Sequence, residues 1–73
     1  MEKIALGIDI GGTKLAVALV DSYGKVIDMI TVHDHIKKDE DGVVAYTYEL
    51  ANKLLINNKL SMDDIYGVGA CFP

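Results

Sequence analysis

The stretch that decides the fold is Gly7-Ile8-Asp9-Ile10-Gly11-Gly12-Thr13-Lys14, close to the amino terminus. It contains the junction between two largely apolar segments, residues 3–10 and 15–21, which have the composition of β-strands. Because only residues 11–14 join these segments, we predict that the two strands form an antiparallel hairpin.

The remainder of the chain predicts a third strand, a helix and a final strand. Residues 26–32 alternate roughly between apolar and polar side chains, as in a half-exposed strand. A polar loop at 33–42 precedes a helical repeat of apolar side chains from 43 to 57, and residues 65–72 are typical of a buried strand. The helix is long enough to act as a crossover, so the last strand is expected to run parallel to the first.

Polar residues mark the boundaries of the predicted helices. Asp41 is expected to cap the helix at its amino end, and Asn57-Asn58 is expected to end it. Ser61 and Asp64 have the spacing of a capping box, which predicts a short helical turn before the final strand.

The loop between the first two strands has the composition of a phosphate site. Gly11 and Gly12 carry no side chains, so backbone N–H groups can approach a phosphate closely. Thr13 adds a hydroxyl group and Lys14 a positive charge. Asp9 would face the same point, and a carboxylate beside a phosphate is repulsive unless Mg²⁺ lies between them. The residues therefore predict a site for phosphate and Mg²⁺.

Two common phosphate motifs do not fit this loop. Gly7 and Gly12 have P-loop spacing, but Thr13-Lys14 is in the reverse order and a strand follows instead of a helix. The dinucleotide fingerprint G-x-G-x-x-G is absent. A plain hairpin turn, in which two adjacent glycines are common, remains an open alternative on spacing alone.

Residues 7–18 resemble the first phosphate motif of the ROK family (repressors, open reading frames and kinases), whose kinases include glucokinases. Residues 65–73 are similar to the family's G-x-G-x-P-G strand and loop, with Cys71-Phe72-Pro73 in the last positions. The resemblance implies an α/β fold of the ribonuclease H-like (actin-like ATPase) type. On this basis residues 1–73 are a single partial domain, β-β-β-α-β, with a mixed sheet in the order 3-2-1-4.

The resemblance also implies a role for individual residues. Asp9 would hold Mg²⁺ through water, and the ATP phosphates would be contacted by Gly11, Gly12 and Thr13, with Lys14 nearby. The sugar side of the cleft would be approached by Gly67, Gly69 and Pro73. The implied reaction is transfer of the ATP γ-phosphate to a hexose hydroxyl group.

Kinases of this family carry their general base, a zinc motif and the adenosine-binding lobe downstream of these motifs, and none of these is in the chain. We therefore expect the 73-residue chain to lack hexokinase activity. Two alternatives stay open. A repressor of the same family would carry a DNA-binding domain before the glycine motif, where this chain has only Met1-Glu2-Lys3. A non-catalytic oligomer, expected to be a homodimer, would bury the apolar sheet faces or edge strands between copies.

Composition limits the partners further. The 73 residues are 51% apolar, carry a net charge of −4 and include one cysteine, which excludes an internal disulfide framework. An acidic chain argues against nucleic acid as a partner, and no apolar run is long enough to span a membrane. With no export signal, the chain is expected in the cytoplasm.

Other side chains are weaker candidates for a site. His33 and His35 could ligate a metal, but a solvated loop is the favoured interpretation. Cys71 is interpreted as a small core residue. Three tyrosines are interpreted as residues that pack in the core or at an interface, namely Tyr46, Tyr48 and Tyr66. Asp63 and Asp64 are interpreted as exposed carboxylates in a turn.

Overall fold

A computed structural model describes residues 3–71, apart from the side chains of Ile36 and Cys71. Its elements are β1 (Ile4–Ile10), β2 (Leu15–Val20), β3 (Val26–Val32), α1 (Glu40–Asn57) and β4 (Ile65–Cys71). Single 3₁₀ turns at His35–Lys37 and Met62–Asp64 precede α1 and β4.

The four strands form one mixed sheet in the order β3-β2-β1-β4. β1 pairs antiparallel with β2, and β2 pairs antiparallel with β3. β4 pairs with β1 in the parallel direction, and its partners start at Ile4 opposite Ile65. The predicted β-β-β-α-β arrangement and strand order 3-2-1-4 are therefore confirmed.

The turn between β2 and β3 is organised by Asp21. Its Oδ1 accepts hydrogen bonds of 2.9 Å from the amides of both Tyr23 and Lys25. Gly24 has a φ of 82°, a left-handed conformation that glycine adopts without the cost other residues incur. The turn consequently defines the register between the two strands.

Helix α1 begins three residues earlier than the sequence pattern predicts. Asp39 is the cap, and its Oδ1 accepts a hydrogen bond of 2.8 Å from the amide of Gly42. The prediction that Asp41 caps the helix is wrong, because Asp41 lies inside the first turn. There its negative charge faces the positive end of the helix dipole.

The carboxyl end of α1 matches the prediction. The helix ends at Asn57, and the side-chain Nδ2 of Asn58 donates to the carbonyl oxygen of Leu54 at 2.8 Å. The same Nδ2 donates to Asp28 Oδ2 on β3 at 2.9 Å. Asn58 therefore both caps the helix and joins it to the sheet.

The core lies between α1 and one face of the sheet. Alternate residues of β2 point toward the helix, so Leu15, Val17 and Leu19 are fully buried against side chains that include Leu54. The helix lies over β2 and β3, which leaves part of β1 and β4 uncovered on this face. The opposite face of the sheet carries no helix within residues 3–71.

Within the same residues, no helix combines the length and the apolar character that crossing a membrane requires.

Candidate functional site

The glycine loop, residues 11–14, connects β1 to β2 at the end of the hairpin. The amide of Gly11 donates a hydrogen bond of 2.8 Å to the carbonyl oxygen of Lys14. In a regular two-residue hairpin, the amide of Lys14 would return a bond to the carbonyl of Gly11. That return bond is not made. Among the described residues, the amides of Gly12, Thr13 and Lys14 donate to no backbone carbonyl.

Space above the loop is open where a ligand would approach. A Cβ atom added to Gly12 would meet nothing within 4 Å, so packing within the chain does not require glycine there. A Cβ on Gly11 would lie 3.3 Å from the carbonyl oxygen of Lys14, which is a tight contact. A side chain at Gly11 would therefore crowd the turn, whereas Gly12 keeps the outer surface of the loop open.

A cavity of about 480 Å³ lies on the open face of the sheet, beside the loop. Asp9 and Lys14 both line it, and they contribute charges of opposite sign. Its floor is made of small residues that are neighbours across the strands, since Gly7 pairs with both Ala18 and Gly69. At these three positions no side-chain atom beyond Cβ projects into the cavity.

The structure brings together most of the predicted site residues. Asp9, Lys14 and Gly69 line one cavity, and Gly11, Gly12 and Thr13 adjoin it in the loop. Gly67 lies on β4 but is not in the lining of that cavity. Pro73 lies outside the described residues.

Two histidines that follow β3 form hydrogen bonds to carbonyl groups of the loop. His33 Nδ1 donates to the carbonyl oxygen of Thr13 at 3.0 Å, and His35 Nε2 donates to the carbonyl oxygen of Gly11 at 2.7 Å. A carbonyl oxygen only accepts, so the contacting ring nitrogen carries the proton in each case. The two imidazoles are therefore in opposite tautomers when neutral.

The interpretation of this segment as a solvated loop is wrong for His35, which is only 3% exposed. Its other ring nitrogen, Nδ1, is buried without a hydrogen-bond partner among the described residues. The contact with Gly11 joins residues 24 apart in sequence, so no local pattern could have indicated it. The burial of the His35 ring within a polar segment is evident only from the tertiary structure.

A tyrosine on α1 anchors the segment that carries these histidines. The hydroxyl of Tyr46 donates to Asp34 Oδ1 at 2.9 Å. That hydrogen bond raises the pKa of Tyr46, and desolvation and the negative charges of Asp34 and Glu49 act in the same direction. The ammonium group of Lys38 lies 4.8 Å from the centre of the Tyr46 ring. Tyr46 also packs against the core, as predicted.

The remaining candidates are distributed elsewhere. Tyr48 and Tyr66 are 62% and 64% exposed, so they do not pack in the core, and their predicted interface role stays a prediction. Asp64 accepts a hydrogen bond of 2.8 Å from the amide of Ser61, which confirms the predicted turn. The side chain of Cys71 lies outside the described part of the chain.

In residues 3–71, no group of three or more His, Cys, Asp and Glu side chains is arranged to hold a metal. His33 and His35 point at different carbonyls of the loop and do not form a chelating pair. Asp9 is a single carboxylate, so any Mg²⁺ beside it would need further ligands from water and from phosphate oxygens.

Comparisons with protein-family models and with curated proteins give no match for this chain.

Proposed function

We propose that residues 11–14 bind the phosphate groups of ATP, with Mg²⁺ held through water by Asp9. In this proposal the chain is the phosphate-binding part of a cytoplasmic ROK-type sugar kinase with an actin-like ATPase fold. The observation that carries the proposal is the set of loop amides without backbone partners, above which Gly12 leaves open space. Free amides in a turn that contains two glycines form the kind of concave site that binds anions.

The charges around the loop fit a phosphate only when a cation is present. Asp9 would repel an anion in the neighbouring cavity, whereas Lys14 would attract it. Bound Mg²⁺ would neutralise both the carboxylate and the phosphate oxygens. The lining of the cavity has one carboxylate, which this proposal assigns to Mg²⁺, and we therefore expect binding without phosphoryl transfer by these 73 residues.

Calorimetric titration with MgATP and with magnesium tripolyphosphate tests the proposal. We expect weak binding, with a Kd of about 1 mM, because the loop and one carboxylate are the contacts available. Gly12→Val should weaken binding by at least about tenfold, since the valine side chain would occupy the open space above the loop. Ser22→Val is the matched control, because Ser22 is exposed in the turn at the far end of β2.

Equal affinities for wild type and Gly12→Val would contradict the loop as the binding site. Binding of MgATP without binding of magnesium tripolyphosphate would show that the adenosine moiety, and not the phosphate chain, is recognised.

Uncovered apolar surface favours self-association as a second candidate function. A groove of about 240 Å³ lies between α1 and β4, and it is lined by apolar side chains that include Val44, Tyr48, Met62 and Val68. All four are at least 47% exposed. β4 is an edge strand with no charged residue, and such an edge is open to pairing with another strand.

Light scattering over a range of concentrations tests this candidate. A homodimer through the groove and the β4 edge predicts that Val68→Lys shifts the mass to that of a monomer. Ile56→Lys should leave the dimer intact, because Ile56 is 74% exposed and does not line the groove. A monomeric wild-type protein at all concentrations would contradict self-association. No observation on the described residues favours the repressor alternative.

A further inference from the structure

We propose that His35 and His33 are positioning residues that orient two peptide units of the glycine loop so that their N–H groups face a bound anion. This inference rests on the proposed phosphate site. It concerns side chains that the phosphate-binding residues do not include, and it assigns them a function through the loop backbone.

The geometry of the peptide bond determines the direction of the Gly12 N–H group. In a trans peptide unit, the C=O and N–H groups point in opposite directions, and the described residues contain no cis peptide bond. The carbonyl of Gly11 belongs to the same unit as the amide of Gly12. Because His35 Nε2 holds that carbonyl at 2.7 Å, the Gly12 N–H points away from His35.

The same relation holds at the other end of the loop. The carbonyl of Thr13 shares a peptide unit with the amide of Lys14, and His33 Nδ1 holds that carbonyl at 3.0 Å. The Lys14 N–H therefore points away from His33. Since both imidazoles come from residues 33–35, both amides are directed away from one segment.

His35 also replaces the bond that would close a regular turn. The carbonyl of Gly11 would ordinarily accept from the amide of Lys14 in a two-residue hairpin. Here that carbonyl accepts from His35, and the Lys14 amide makes no backbone hydrogen bond among the described residues. His35 therefore orients the Gly12 amide, and the neighbouring Lys14 amide is available to a ligand.

The burial of His35 indicates a role other than packing. The ring is 3% exposed, and Nδ1 lacks a hydrogen-bond partner in the described part of the chain. An apolar side chain of similar size would fill this position without a buried unsatisfied nitrogen. The Nε2 donor is the property that such a replacement would lose.

The test compares His35→Gln with His35→Leu. The amide nitrogen of Gln can occupy a position similar to Nε2 and donate to Gly11, whereas Leu fills space but donates nothing. We expect the urea concentration at the unfolding midpoint of His35→Leu to equal or exceed that of wild type. The same variant should bind magnesium tripolyphosphate at least about tenfold more weakly. His35→Gln should bind within about threefold of wild type.

Amide and imidazole NMR signals of the ligand-free protein give a readout that does not depend on phosphate. We expect the Nε2–H tautomer for His35 and the Nδ1–H tautomer for His33, and the Gly12 amide signal should move in His35→Leu but much less in His35→Gln. His33→Ala, at an exposed position outside the core, should move the Lys14 amide signal and provides the test if His35→Leu does not fold.

Two kinds of result would overturn the positioning role of the histidines. Equal phosphate affinity for His35→Leu and wild type, or equal losses for His35→Leu and His35→Gln, would overturn the positioning role. So would unchanged Gly12 and Lys14 amide signals in His35→Leu and His33→Ala. If wild type binds no phosphate while the amide signals move as expected, the proposed function fails, and with it the assignment of an anion, but the orientation of the loop by the histidines stands.

Discussion

The phenolic hydroxyl of Tyr46 on α1 lies 2.9 Å from Asp34 Oδ1, and this hydrogen bond connects the helix to the residue between His33 and His35. Those two histidines in turn hold the carbonyls of Thr13 and Gly11. Residues 33–35 therefore connect the helix to the glycine loop.

The Tyr46–Asp34 bond predicts a pH effect whose sign follows from the raised pKa of Tyr46. The neutral phenol donates to Asp34, so its contribution to stability is complete below the ordinary tyrosine pKa of about 10. It is lost as the pH rises through the higher pKa of the folded state. Asp34→Asn removes the acceptor charge and should lower the pKa of Tyr46, as measured by the ultraviolet absorbance of tyrosinate.

Tyr46→Phe identifies the phenol responsible for that signal. The titration step assigned to Tyr46 should be missing from its absorbance curve. An identical curve for Asp34→Asn and wild type would mean that the hydrogen bond is not formed in solution.

Replacement by alanine should destabilise the protein at Gly24 and have little effect at Gly12. Gly24 has a φ of 82°, so Gly24→Ala should lower the free energy of unfolding by about 1 kcal/mol. Gly12→Ala meets no atom within 4 Å and should change it by less than about 0.5 kcal/mol. Urea denaturation of both variants provides the comparison. A larger loss for Gly12→Ala than for Gly24→Ala would refute the division of roles between these glycines.

Two alanine variants in the first turn of α1 test which residue caps the helix. Asp39→Ala removes the acceptor of the Gly42 amide and should cost about 1 kcal/mol of unfolding free energy. Asp41→Ala loses only a favourable position near the helix dipole and should cost about 0.5 kcal/mol or less. Thermal denaturation measured by circular dichroism distinguishes the two, and equal losses would argue against Asp39 as the cap.

Asp9 should have opposite effects on phosphate binding with and without Mg²⁺. In excess chelator, Asp9→Asn removes a repulsive charge beside the cavity and should strengthen tripolyphosphate binding. With Mg²⁺ present, the same variant should bind more weakly, because the carboxylate that holds the hydrated cation through water is lost. Asp63→Asn, in the exposed turn before β4, is the control. A change of the same sign in both conditions would exclude Asp9 as the Mg²⁺ residue.

Local patterns in the sequence predict the strands and the β1–β2 hairpin, and the family resemblance predicts the full strand order, but neither indicates what supports the loop. The short linker at residues 11–14 and the alternation in β2 are local, so they predict the hairpin and its buried face. The predicted start of α1 differs from the observed one because Asp39 and Asp41 are both acceptable caps in sequence. Only the hydrogen bond from the Gly42 amide to Asp39 distinguishes them. The contact between His35 and Gly11 depends on tertiary packing, which no spacing rule encodes.

The parallel pairing of β1 with β4 has a consequence for the order of folding. Ile4 and Ile65 are about 60 residues apart in sequence, so closing that pair costs more chain entropy than forming the β1–β2–β3 meander. The glycine loop and the two histidines lie within the first 35 residues, and the anchoring tyrosine follows shortly after. We therefore expect the glycine loop and the two histidines to come together before β4 pairs with β1.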